Sequence, residues 1–267
     1  MKKIVFGFIF VLIQLQTSAG DDFCATSNFT FTSGEQVTFK VFYNVIGIYV
    51  DAGTAVFSVS KEKMGTKDVF HVVGIGKSNP SYDWIFKVRD RYETFLDTMS
   101  LKPLKFVRAV DEGGYLTNEN VTFNHEAGTA TSTNGVFKVP TCVQDVMSAI
   151  YFARNINYNK LKIDDRIPFS MFIDDQVNNL FIRYAGKEEI KTRFGRYNAI
   201  KIKPLLLKGN VFDGGEKMTI WVSDDSNHIP LRIETPIAVG SIKVDMMGYS
   251  NIKYPLTSQF NGKNQDR

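Results

Sequence analysis

The chain has 267 residues, 43% hydrophobic and 22% charged, with 32 lysines and arginines against 28 acidic residues for a formal charge of +4. Charges of both signs are interspersed without long blocks, which gives no electrostatic footprint for nucleic acid and no polybasic patch. Three histidines and two cysteines, none at metal-ligand spacing, give no reason to expect a metal or any other cofactor.

The first element is a leader. Lys2 and Lys3 precede an apolar run from Ile4 to Leu15, and Thr17-Ser18-Ala19 supplies small residues for cleavage. The run is shorter than the roughly 18 to 20 apolar residues that cross a bilayer, so residues 1–19 read as a signal peptide cut near Ala19. The expected mature protein is exported, periplasmic or associated with the outer envelope, with no transmembrane anchor. Cleavage removes two lysines and with them half of the formal charge.

Residues 20–32 form an N-terminal extension that carries Cys24. Paired with Cys142 it would close a long loop, worth up to about 4 to 5 kcal/mol in the chain-entropy model; two free thiols are the other reading.

From residue 33 to 255 the pattern is that of a β domain. Val37, Phe39, Val41 and Tyr43 alternate with Thr38, Lys40 and Phe42, and β-branched or apolar runs recur at 53–60, 67–76, 103–110, 166–173, 178–185, 197–206, 216–223 and 239–249. Glycine and asparagine turns separate them, Gly113-Gly114 and Asn134-Gly135 among them. Asn79-Pro80 can start a helix over 82–86, or those residues can alternate as a strand into Val88; the sequence leaves both open. The following Arg89-Asp90-Arg91-Tyr92-Glu93 is dense in alternating charge. Arg89, Asp90, Arg91 and Glu93 are candidates for a polar clamp on a ligand headgroup, and an ion-pair network at the sheet rim is the plainer reading.

An internal echo comes next. Asp97 is followed at six residues by Pro103, and Asp224 at the same offset by Pro230, each proline opening a Pro-Leu-Lys/Arg strand. Both read as strand, aspartate-led turn, strand, because aspartate can accept from backbone N–H groups just ahead and proline at a strand start breaks no ladder bond. One helix stands out, over about 142 to 155. Thr141 and Gln144 make a capping box, Val143, Val146, Met147 and Ile150 fall on one face, and Arg154 suits the last turn. These four apolar residues are expected to cover the concave side of the sheet or line a cavity there. Residues 256–267 form a polar tail.

Chemistry is thin. There is no nucleophile elbow and no phosphate loop. Asp90 with Glu93, Asp174-Asp175 and Asp224-Asp225 are the acid-base candidates, and a glycosidase would need two carboxyls held about 5 to 9.5 Å apart across a cleft. What exceeds background is aromatic content: 22 phenylalanines, 11 tyrosines and 2 tryptophans, 13% of the chain. These rings fill the core of a barrel-like meander or line a cavity in it.

The stretch from Phe86 to Asp97, Asp145 to Arg154, Trp221 to Asp225 with Ile229-Pro230, and Gly34-Glu35 leading into Phe39-Lys40-Val41 resemble the bacterial exported family catalogued as domain of unknown function 3108. The hairpin from Trp221 to Ile233 is also similar to one in periplasmic carriers of lipoproteins, half-barrels that hold acyl chains against covering helices. The recurring strands with short loops predict a mostly β fold, one large antiparallel meander, open or barrel-like, or a sandwich, with the helix packed on it, and the resemblance favours the first.

Three classes of function fit. The leading one is a non-catalytic envelope protein that binds a lipid-like ligand in the concave face. The second is an envelope interaction or assembly protein with a filled core and an exposed apolar patch. An extracellular hydrolase with paired carboxylates is the third. The expected partner is a lipid-like ligand or another envelope protein, not nucleic acid, and the sequence sets no oligomeric state.

Overall fold

A computed structural model describes residues 27–45, 47–207, 214–237 and 239–260. The expected signal peptide and Cys24 lie outside these residues.

Fourteen strands make one antiparallel sheet. The outgoing arm is β1 (Gln36–Val45), β2 (Ile48–Met64), β3 (Lys67–Ser78), β4 (Arg89–Asp97), β5 (Pro103–Glu112), β6 (Tyr115–Asn124), β7 (Thr129–Ser132) and β8 (Gly135–Lys138). Each strand lies beside its predecessor. The chain then crosses to the far edge and returns through β9 (Arg166–Ile173), β10 (Gln176–Thr192), β11 (Gly195–Pro204), β12 (Thr219–Ser223), β13 (Pro230–Pro236) and β14 (Ser241–Ser250). The last strand pairs with the first, Gln36 opposite Ser250, so β1 and β14 sit inside the sheet while β8 and β9 are its edges.

The edges do not pair, and the sheet stays open. It curls enough that Phe172 of β9 meets Phe123 of β6 and Phe137 of β8, with ring centroids 6.2 and 5.6 Å apart. The outer side of β9 is covered by Gln144, whose N–H donates to Ser170 O at 2.8 Å and whose carbonyl accepts from Phe172 N–H at 2.8 Å. Covering an edge in this way removes a template for unwanted pairing.

The ambiguous segment after β3 is helical: a single 3-10 turn over Pro80–Tyr82 leads into α1 (Asp83–Phe86). Asn79 starts it by accepting from Ser81 N–H at 3.2 Å, and proline sits at the head of the turn, where its missing N–H costs nothing.

The crossing helix α2 is Val146–Arg154, later than expected. Its cap is Asp145, not Thr141. Asp145 accepts from Ser148 N–H at 2.8 Å while Ser148 Oγ accepts from Asp145 N–H at 2.7 Å, a reciprocal capping box. Gln144 is extended because its backbone is held by β9, and this pulls the residues before it out of the helix.

The helix joins two cores. Val143, Met147 and Tyr151 pack with Phe31, Val72, Leu96, Phe106 and Phe172 of the outgoing arm and edge, whereas Phe152, Ala153 and Ile156 pack with Ile182, Tyr184, Ile200 and Val222 of the returning arm. A third cluster, Val37, Phe39, Trp221, Leu231 and Met246, spans the β1–β14 seam. Phe31, within the N-terminal extension, is 1% exposed. At the other end Leu256 packs on the seam cluster, and Phe260 N–H donates to Arg196 O at 2.9 Å, which docks the start of the polar tail on β11.

Candidate functional site

The echo is real in backbone terms. Leu96 pairs with Pro103 just past a bulge, and Val222 pairs with Pro230 just past another. Asp97 N–H donates to Lys102 O at 3.0 Å, Ser223 N–H donates to Ile229 O at 2.8 Å, and each acceptor is the residue before the proline. Leu101 and His228, each two residues before its proline, both have positive φ, 54° and 45°. Asp97 organises its turn by accepting from Met99 and Ser100 N–H at 3.0 and 2.9 Å. In the second turn that role belongs to Asp225, which accepts from Asn227 N–H at 3.0 Å. Asp224 instead pairs with Lys187 at 2.8 Å. The reason is length: the second turn is one residue longer when aligned on its closing hydrogen bond.

The proposed clamp is split by strand alternation. Asp90 and Tyr92 face the curl of the sheet. Arg91 and Glu93 face away, in a surface chain in which Glu93 Oε1 takes Arg91 at 2.7 Å and Oε2 takes His71 Nε2 at 2.7 Å. Glu62 meets the other histidine nitrogen at 2.8 Å, and hydrogen bonds from these partners hold Glu62 and Glu93 below the usual carboxylate range. Arg89 turns back at the rim, where its Nη2 meets Asp83 at 2.5 Å. No shared headgroup site is formed by the four.

On the inner face a polar layer lies beside the aromatic core. Burial, then the charge of Glu112, raises the Asp90 carboxyl to about 7, and burial pushes Tyr92 up to about 12. Arg108, 8% exposed, meets Glu119 at 2.7 Å and also Asp174 at the β9–β10 turn. Asp175, with φ 58°, accepts from Asn134 Nδ2 at 2.6 Å. The Asp174-Asp175 pair therefore works as a latch between the arms.

Of the four helix candidates, Val143 and Met147 are buried, and Val146 and Ile150 are partly buried against the same core. Gly74 of β3 makes room for Met147: a Cβ there would lie 3.0 Å from Met147 Cε. Sequence reading placed Arg154 in the last turn but missed its buried partner Glu35 and the role of Asp145 in fixing the helix. Asp145, fully buried and raised to about 7 by burial, accepts from Thr94 Oγ1 at 2.6 Å. Arg154 reaches Glu35 through two bonds of 2.5 and 3.0 Å, donates to Asn227 O, and lies over the Tyr151 ring at 5.1 Å. A polar residue at each end of an apolar helical stripe was the available signal. Cys142 is disulfide-bonded.

Two clefts among the described residues have charged side chains in their linings. One, of about 410 Å³, is lined by Asp164, Arg166, Arg183 and Glu216, which pair with one another. The other, of about 210 Å³, is lined by Lys40, Asp51, Thr54, Lys77 and Ser78 among others. No group of three or more potential metal ligands occurs among the described residues, and none of their helices is long and apolar enough to cross a membrane.

An open, curled meander with a helix seated in it defines a β-barrel-like protein, and the sequence comparison narrows this class. The model of a family described as protein of unknown function (DUF3108) matches residues 38–247, and the chain belongs to that family. A β-barrel-like protein of domain of unknown function DUF1849 from Brucella abortus is similar in fold, with a TM-score of 0.56 at 10% identity, covering 83% of this chain and 99% of that one. An exported protein of YmcC-like fold from Bacteroides fragilis aligns at a TM-score of 0.32 and 13% identity, over 85% of this chain and 100% of that one. A lipoprotein from Parabacteroides distasonis gives 0.35 and 13%, over 85% and 99%. No curated protein matches.

Proposed function

We propose that the protein is a non-catalytic component of the cell envelope that works through its surface and carries no ligand inside. The observation behind this reading is the filled curl of the sheet. Met147, Tyr151, Phe106 and Phe172 are each at most 2% exposed where a carrier would keep its cavity, and ligand pockets are normally lined by hydrophobic and aromatic side chains, whereas neither of the two clefts has an aromatic or large aliphatic side chain in its lining. The raised carboxyl of Asp90 lines neither of these two clefts.

Native mass spectrometry with lipid extraction, on mature protein purified gently from its own envelope, tests the reading. An apo mass with no uptake of added phospholipid is expected. A stoichiometric acyl-containing ligand would overturn it in favour of a carrier.

A further inference from the structure

The apolar side chains that remain exposed are not scattered. Strand directions place the β1–β2, β3–β4, β5–β6, β7–β8 and β13–β14 connections on one rim of the sheet. At or next to them stand Ile48, Trp84, Ile85, Leu116, Val136 and Val239, each between 62% and 83% exposed. Among the described residues, Met99 and Ile163 are the comparably exposed counterparts toward the opposite rim, two against six. Isolated exposed apolar residues need no explanation, but a one-sided set does.

We propose that this rim docks on the surface of a lipid bilayer, the tips entering the headgroup and upper acyl region. This rests on the reading that the protein acts through its surface. Two observations favour lipid as the occupant. The tips belong to five separate connections and form no groove, a geometry suited to a soft planar surface. Their surroundings are also those of an interfacial anchor, apolar or aromatic at the tip with cations one layer behind.

Trp84 satisfies its own indole N–H by donating to Ser81 O at 3.1 Å, so the ring can leave water without stranding a donor. Behind it, exposed Lys77 has no ion pair among the described residues and stands opposite Arg89 across the β3–β4 ladder. Behind Ile48, Lys243 lies 4.4 Å over the Tyr49 ring and donates to its hydroxyl at 3.1 Å, its charge paired with Glu234 at 3.0 Å. The exposed Lys77 ammonium complements a lipid phosphate.

The test uses the mature chain and vesicles of phosphatidylethanolamine and phosphatidylglycerol. A Trp221→Phe variant leaves Trp84 as the single tryptophan; on adding vesicles its emission should move to shorter wavelength and be quenched by lipids brominated on the acyl chain. In co-sedimentation, Trp84→Ser with Ile85→Ser should weaken binding about tenfold, and Met99→Ser should leave it unchanged. The serine substitutions fall on exposed side chains, whereas Trp221→Phe falls in the buried seam cluster, and circular dichroism checks that each variant is folded. Unshifted emission, or undiminished binding by the double variant, would overturn the proposal. If vesicles are ignored while the native mass is apo, the rim inference fails and the surface reading stands. An acyl ligand in the native mass would remove the surface reading itself.

Discussion

Replacing Glu35 by alanine isolates what fixes the helix in the sheet. The side chains of Glu35 and Arg154 are 0% and 3% exposed and meet through a two-pronged pair at 2.5 and 3.0 Å. Without Glu35 the guanidinium keeps Asn227 O and the rings of Tyr151 and Phe31, but no anion compensates its buried charge. Removing one partner of a buried pair costs about 3 to 5 kcal/mol. For a domain of this size that is a fall in Tm of roughly 6 to 20 °C. Because most of this cost is stranded charge, Glu35→Leu combined with Arg154→Met should cost less than the sum of its single changes, by at least about 2 kcal/mol. Urea unfolding followed by circular dichroism, run as a double-mutant cycle, measures each quantity. Single-variant losses under about 1 kcal/mol, or strict additivity, would refute the idea that the pair holds α2.

Asp145 sets a pH dependence. Its folded carboxyl is raised by burial from 3.8 to about 7, so the unfolded chain holds fewer protons between those values and stability falls as pH rises through that window, by at most about 4 kcal/mol. Asp145→Asn keeps an acceptor for Ser148 and should flatten the change in urea midpoint between pH 5 and 8; an unchanged slope would count against it. Gly74→Leu should cost about 1 to 3 kcal/mol by overpacking against Met147 and Phe57. Adding Met147→Ala should return part of that loss in thermal unfolding, and a purely additive result would show that the two residues do not share the space.

Strand alternation and turn residues made the meander legible, because a half-buried antiparallel strand writes its period of two directly into the chain. The helix was legible as a stripe, but its start was displaced by a tertiary effect: β9 claims the Gln144 backbone, which no local pattern reports. The clamp failed for the opposite reason. Its four charged residues were read as a block, whereas alternation sends Asp90 inward and Arg91 and Glu93 outward. Glu35 and Arg154 lie far apart in sequence, and only the folded chain makes them a pair. The Asp97 turn was readable from local chemistry. One added residue in its echo moved the same role from Asp224 to Asp225, a shift visible only once the closing hydrogen bond is known.

The pairing of β1 with β14 has a consequence for how the chain is made. During synthesis β1 appears first and acquires β2 at once, but the partner for its other edge is encoded some two hundred residues later, Gln36 against Ser250. Until then Val37, Phe39 and Val41 lie on a strand with an open row of backbone donors and acceptors, the kind of edge on which aggregation starts. Long-range pairing of this sort is slow, since loop closure must precede any reward from the ladder. The newborn chain is therefore vulnerable for its whole length, and loss of the final strand would reopen the middle of the sheet instead of trimming its margin.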